Sequence, residues 1–434
     1  MALINTTKAE GESLYRKTTL PNGLRLVTSA MPHTRSVAIG FFVGVGSRYE
    51  TEAQAGISHF IEHMCFKGTE RRKTPTEISA AIEGVGGMLN AGTDKEMTIY
   101  WCKVAQSHFN LAMDVLVDML AGSRFDTADI EKERQVIIEE IKMSKDTPSQ
   151  EVNLIIDELL WPDHPLGKDT AGTKESVTGT DRSMLLDYMR IMYSPSNMVV
   201  SIAGNIEHEA VLEAVSHSFD SWNDRKNKPK FLPFTGTKNP RIRIQKRDIE
   251  QAHVCMGLPG LSLADPRRFT VDLLNVILGE GMSSRLFTEI RENLGLAYNI
   301  YSYIDHFLDS GALTICAGVE PGNLRTMVTA TLEQLAKFKN ELVPEEEINK
   351  AKELSKGRTL LRMEDSRNVN GWAGAQEILT GKVMTVDEMV TIVDAITAED
   401  IQQMARELII GDRLRMAVVG PISNTEHLEN MLKL

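Results

Sequence analysis

The second half of this chain repeats the first, and that repetition limits the possible fold more than any other feature. FDTADIEKERQVIIEEIKMSKD, from Phe125, is echoed by VPEEEINKAKELSKGRTLLRMED, from Val343, with Ile348 standing where Ile130 stands. Strand-like RKTTL, LRLVTSA and SVAIGFFVGVGS open the first half, and IRIQKRD and AHVCMGLPG open the second. Pro21-Asn22-Gly23 is a hairpin turn signal between the first two of these. GEGMSSRLFTEIREN occupies the place of AGISHFIEHMCF. A repeated unit that mixes strands and helices predicts an α+β chain of two similar domains, each a mainly antiparallel sheet packed with helices. The 434 residues also exceed one ordinary core. Segment 224–240 is polar, basic and rich in proline, and reads as a linker. It separates an N-terminal domain, 1–223, from a C-terminal domain, 241–434.

Residues 55–68 read as a helix that carries His59, Glu62 and His63, the pattern H-x-x-E-H. Positions i, i+3 and i+4 share one helix face. Two imidazoles one turn apart can bind one metal ion, with the glutamate beside its open position. Ile57, Phe60, Ile61 and Met64 fall on the opposite side and can anchor the helix. The pattern is that of an inverted zinc peptidase motif. A structural zinc fits less well, because such sites prefer four Cys or His ligands. Zinc is the expected ion, although two histidines and a carboxylate also suit iron or manganese.

A catalytic zinc needs a third protein ligand and an open position. The helix predicted over 127–145 offers Glu131, Glu133, Glu139 and Glu140. Glu133 and Glu140 are seven residues apart and align to within roughly 20°. They share a face with Ile130, Val136, Ile137 and Ile141, whereas Glu139 points about 120° away. A carboxylate on an apolar face is costly unless paired or metal-bound. Glu133 and Glu140 are thus the candidates for the third ligand, and a buried ion pair is the alternative. In the second half Glu133 becomes Ala351 and Glu140 becomes Arg358. His59, Glu62 and His63 become Ser284, Phe287 and Thr288, so one metal site per chain is expected.

The net charge of −12 disfavours nucleic acid and anionic membrane partners. The N-terminal residues lack a basic segment followed by an apolar stretch, and no apolar run approaches the ~20 residues that span a bilayer. A cytoplasmic protein is expected. Cys65, Cys102, Cys255 and Cys316 are scattered and read as reduced, partly buried thiols.

GISHFIEHMCFKGT, LNAGTDKEMTIYW, EKERQVIIEEIKM, DHPLGKDTAGT, YSPSNM and SSRLFTEIRENLGLAY together resemble the pitrilysin family (M16, the inverzincins) over nearly the whole chain. The similarity is to the branch of mitochondrial processing peptidase and its bacterial homologues. It implies a duplicated LuxS/metallopeptidase-like fold and a zinc-dependent endopeptidase. It implies zinc ligands at His59, His63 and Glu140, with Glu62 as base and Glu133 orienting a ligand. Asn90 and Ala91 match the edge strand that takes up substrate in extended form. Arg291 and Tyr298 match a pair that binds substrate and polarises the scissile carbonyl. The resemblance also implies that two chains enclose a chamber, each pair facing its partner's zinc site. This chain carries both sets, so a homodimer acting on unfolded peptides is expected. A catalytic subunit needing a different, inactive partner and a non-enzymatic assembly subunit are the rival readings. Glu151 stands where the processing enzyme recognises arginine, but the second acidic position falls near apolar Leu154 or Ile155. General cleavage of short peptides is therefore expected over targeting-sequence processing. Cys65, close to the metal helix, is a candidate for thiol-reactive inhibition.

Overall fold

The computed structural model describes residues 15–220, 222, 229–236, 240–422, 428–429 and 431–432. Part of the expected linker, 224–228 and 237–239, lies outside them. The first half runs β1 (Arg16–Thr19), β2 (Arg25–Ala30), β3 (Ser36–Val43), α1 (Ile57–Cys65), α2 (Pro75–Glu83), β4 (Met88–Thr93) and β5 (Thr98–Ala105). It continues with α3 (Phe109–Gly122), α4 (Thr127–Asp146), α5 (Pro148–Leu160), α6 (Lys174–Gly179), α7 (Arg182–Met192), β6 (Met198–Gly204) and α8 (His208–Ser218). The second half runs β7 (Ile242–Lys246), β8 (Ala252–Pro259), α9 (Arg268–Gly279), a π-helical segment Phe287–Asn293, β9 (Ala297–His306) and β10 (Gly311–Val319). It ends with α10 (Leu324–Asn340), α11 (Glu345–Arg362), α12 (Ser366–Thr380), α13 (Val386–Ala395), α14 (Ala398–Leu408) and β11 (Arg415–Gly420).

The two sheets repeat one plan. The first has strand order β1-β2-β6-β3-β5-β4 and the second β7-β11-β8-β10-β9. Each is antiparallel except for one parallel pair, β2 with β6 and β11 with β7. The α+β fold of two similar halves is as expected. The element order corrects the pairing within the repeat. α9 follows β8 as α1 follows β3, and the π-helical segment precedes edge strand β9 as α2 precedes edge strand β4. Phe287 and Thr288 therefore stand in the place of α2 and not of the histidine helix.

The chain forms two compact units that exchange segments across the expected boundary. One comprises residues up to Ile141, Asp169–Leu232 and Leu360–Val386; the other comprises Lys142–Lys168, Pro233–Thr359 and the residues from Asp387. In the first unit α12 lies on β3 and β6. A Cβ on Gly374 would meet the Phe42 ring at 2.1 Å, so only glycine permits this approach. Ser201 Oγ donates to the Asn370 carbonyl at 2.9 Å in the same contact. In the second unit α5 covers the other sheet: Val152, Ile156 and Leu159 are buried with Cys255, Ala417 and Val419.

Cys255 and Cys316, 61 residues apart, are direct partners in the β8–β10 register and form a disulfide. This corrects the expectation of four reduced thiols: strand pairing, invisible in the spacing, brings the two sulfurs together. Cys65 and Cys102 are free and buried. No helix among the described residues is long and apolar enough to cross a membrane.

Candidate metal centre

Helix α1 presents the site. Ile57, Phe60 and Ile61 are fully buried, Met64 is nearly so, and all four pack in the first unit's core. Gly56 caps the N-terminus at φ +88°, where a Cβ would strike the Ala171 carbonyl at 2.4 Å. No side chain at Gly56 can satisfy the first N–H groups of the helix. Glu50 does so from the preceding loop: Gly56 N donates to Oε2 at 2.7 Å and Ser58 N to Oε1 at 2.8 Å. Burial pushes the Glu50 carboxyl up to about 7 despite these bonds.

With the apolar face anchored, His59, Glu62 and His63 emerge half-buried on the other side. The two Nε2 atoms are 3.2 Å apart. Glu140 Oε2 lies 3.8 Å from His59 Nε2 and 3.6 Å from His63 Nε2. Donors about 2.05 Å from one tetrahedral zinc would stand ~3.3 Å from each other, so the three atoms fit one ion. Burial, then the neighbouring His63, holds His59 down at about 4, so its ring is neutral and able to ligate at neutral pH.

Helix α4 supplies two carboxylates. Its inward face is Ile130, Glu133, Ile137 and Ile141, while Glu139 is exposed and Glu140 half-buried. Val136 departs from the expected face: it is 43% exposed. Its angular position lies at the stripe's edge, beyond the reach of the core. His63 Nδ1 donates to Glu133 Oε2 at 3.1 Å. Lys67 Nζ lies 2.7 Å from the other oxygen. Burial alone would raise the Glu133 carboxyl, but the bonds from His63 and Lys67 bring it below the usual range.

Glu62 accepts a hydrogen bond from Thr93 Oγ1 at 2.6 Å. Burial raises its carboxyl above the ordinary value, against the Thr93 bond. Thr93 ends β4, the sheet's edge strand. Asn90 and Ala91 lie on that strand, paired on one side with Trp101 and Tyr100 of β5. Sequence reasoning missed Thr93, Lys67 and Glu50. Lys67 alone left a signal, four residues after His63.

Arg291 and Tyr298 come together in the second unit, the guanidinium 4.8 Å from the tyrosine ring centre. Tyr298 is 81% exposed. Glu151 is committed elsewhere: it is buried and paired with Arg247 at 2.9 Å and with Gln245. It is thus not presented for recognising an arginine. Cys65 is fully buried, and burial pushes its thiol up to about 12, which argues against ready reaction with thiol reagents.

Residues 25–174 match the family description "Insulinase (Peptidase family M16)", and residues 180–355 match "Peptidase M16 inactive domain". The chain is 38% identical to an uncharacterized zinc protease of Bacillus subtilis, YmxG, over 95% of this chain and 99% of that one. It is 36% identical to an uncharacterized zinc protease of Streptomyces coelicolor, over 96% and 92% of the two chains. Its fold is similar to a protease from Helicobacter pylori (TM-score 0.87, 21% identity, 94% of this chain and 99% of that one). It is also similar to a peptidase M16 inactive domain from Pseudomonas fluorescens (TM-score 0.86, 16% identity, 95% and 99%). With a histidine–histidine–glutamate cluster in the half that matches the insulinase description, this chain belongs to peptidase family M16.

Proposed function

We propose that this chain is a zinc-dependent endopeptidase, with one zinc held by His59, His63 and Glu140. The observation that supports it most is that these three side chains offer donor atoms all within 4.8 Å of one another. Zinc, when bound there, acidifies a water and polarises the scissile carbonyl. Glu62 takes the proton of the attacking water and returns it to the leaving amine. Burial raises its carboxyl above the ordinary value, which favours holding the proton between the two transfers. Thr93 keeps the Glu62 carboxylate turned toward the histidine pair. Glu133 orients His63 through Nδ1.

The peptide lies extended along the unpaired edge of β4, bonding to the backbone at Asn90 and Ala91. Arg291 and Tyr298 bind substrate and the developing oxyanion from a second copy of the chain. A homodimer then encloses a chamber that admits unfolded peptides and excludes folded proteins. The net charge of −12 favours basic peptides over nucleic acid or membrane surfaces, and the cytoplasm is the proposed location.

The test is cleavage of an internally quenched peptide by the pure chain, with and without chelator. Chelator-sensitive cleavage, lost in Glu62→Gln while zinc is retained, is the expected result. A pure chain that binds zinc but is inert would favour a heteromeric enzyme. A chain that neither binds zinc nor cleaves would favour an assembly subunit.

A further inference from the structure

Glu133 is a buried carboxylate gripped on both oxygens by one short stretch of chain. His63 Nδ1 holds Oε2 at 3.1 Å, and Lys67 Nζ holds Oε1 at 2.7 Å. Lys67 sits just beyond α1, four residues after His63, where its backbone N–H closes onto the Met64 carbonyl at 3.1 Å. Histidine and lysine thus reach the same carboxylate from successive turns. Glu133 lies on α4, two turns before Glu140, which is ~10.5 Å along one face. The clamp at Glu133 therefore sets how α4 presents Glu140 to the two imidazoles.

Charge points the same way. Three carboxylates, Glu62, Glu133 and Glu140, share helices α1 and α4 with the two histidines. A divalent ion offsets two of those charges, and the ammonium of Lys67 offsets the third. Burial of the Glu133 charge without a compensating donor is costly. Loss of the Lys67 donor frees the carboxylate plane to turn, and the bond that orients His63 loosens with it.

We infer that Lys67 is a positioning residue of the metal site, acting through Glu133 to hold His63 and Glu140 in ligating geometry. This rests on the zinc reading proposed above. Lys67 is 27% exposed in its side chain and Glu133 keeps its His63 bond when the ammonium is removed, so the metal-free fold loses only part of what holds this carboxylate. The effect of Lys67 belongs in metal affinity.

The experiment uses the full chain as wild type, Lys67→Met, Lys67→Arg and Lys132→Met. The last removes an exposed charge paired with Asp129 on the outer side of α4. Zinc affinity is read by competition with a chromogenic chelator, the site's symmetry by the absorption of cobalt(II)-loaded protein, and folding by the Tm of metal-free protein. Lys67→Met should weaken zinc binding on the order of 10-fold and shift the cobalt bands, as loss of an outer partner of a ligand does. Its metal-free Tm should fall by no more than about 5 °C, because the His63 bond to Glu133 remains. Lys67→Arg should restore most of the affinity, and Lys132→Met should match wild type. Zinc affinity within twofold of wild type in Lys67→Met would overturn the inference, as would a loss matched by collapse of the metal-free Tm. Failure of the wild type itself to bind zinc would instead refute the proposed function, and Lys67's role with it.

Discussion

Thr93 Oγ1 donates to Glu62 Oε2 at 2.6 Å, so the end of edge strand β4 holds the carboxylate that immediately precedes His63 in the chain. The strand proposed to take the peptide and the carboxylate proposed to act on water are joined by this bond. Thr93→Val keeps the shape and removes the donor. It should lower kcat about 10-fold or more with KM within about twofold, because alignment of a base acts on the chemical step. Thr93→Ser should retain most activity. Steady-state kinetics on a quenched peptide decide it, and an unchanged kcat in Thr93→Val would remove Thr93 from the site.

The neighbours Glu139 and Glu140 lie on different faces of α4, one exposed and one facing the histidines. Glu140→Gln should lose zinc on dialysis, with affinity down by roughly 100-fold, because a neutral amide is a poor ligand for a dication. Glu139→Gln should retain full zinc. Equal metal content in the two variants, measured by elemental analysis, would contradict the helix-face assignment.

Glu50 couples the cap of α1 to pH. Its carboxyl is pushed up to about 7 by burial, against about 4.3 in an unfolded chain. The folded state holds this proton more tightly, so the stabilisation is fully present below pH ~4.3 and is lost as pH rises through about 7. Glu50→Gln has no such proton. The Tm of wild type minus that of Glu50→Gln, in metal-free protein, should therefore fall between about pH 5 and 7.5. A flat or rising difference would show that Glu50 does not titrate in this window.

The cysteines divide sharply. Cys255 and Cys316 are joined and at most 4% exposed, while Cys65 and Cys102 are free, buried thiols pushed up to about 12 by burial. Non-reducing peptide mapping should recover a Cys255–Cys316 linked peptide. Alkylation of Cys65 and Cys102 should require denaturant. Rapid labelling of Cys65 in the native protein would contradict its burial.

Periodicity alone was enough to place His59, Glu62 and His63 on one face, and to separate Glu140 from Glu139. A helix turns by a constant angle, so spacing translates directly into direction. The apolar residues at 57, 60, 61 and 64 likewise announced which face would be buried. The repeat announced two sheets of one plan, because strands and helices recurred in the same order. The same reasoning erred at Val136, at the margin of the stripe, where depth in the core depends on what packs above it.

What remained hidden involves partners distant in the chain. Strand register joined Cys255 to Cys316, and packing sent α5 and α12 each to the sheet of the other half. Local composition says nothing of either, because both depend on which surfaces meet. Thr93 reaches Glu62 by one hydrogen bond from another element and Glu50 caps α1 by two from a loop, and such side-chain reach has no periodicity to betray it. The linear chain thus determined which polar side chains share a helix face, and the fold class, through repeating local geometry. Tertiary structure decided what holds those side chains still, because orienting a side chain takes contacts that only the folded arrangement brings within a few ångströms.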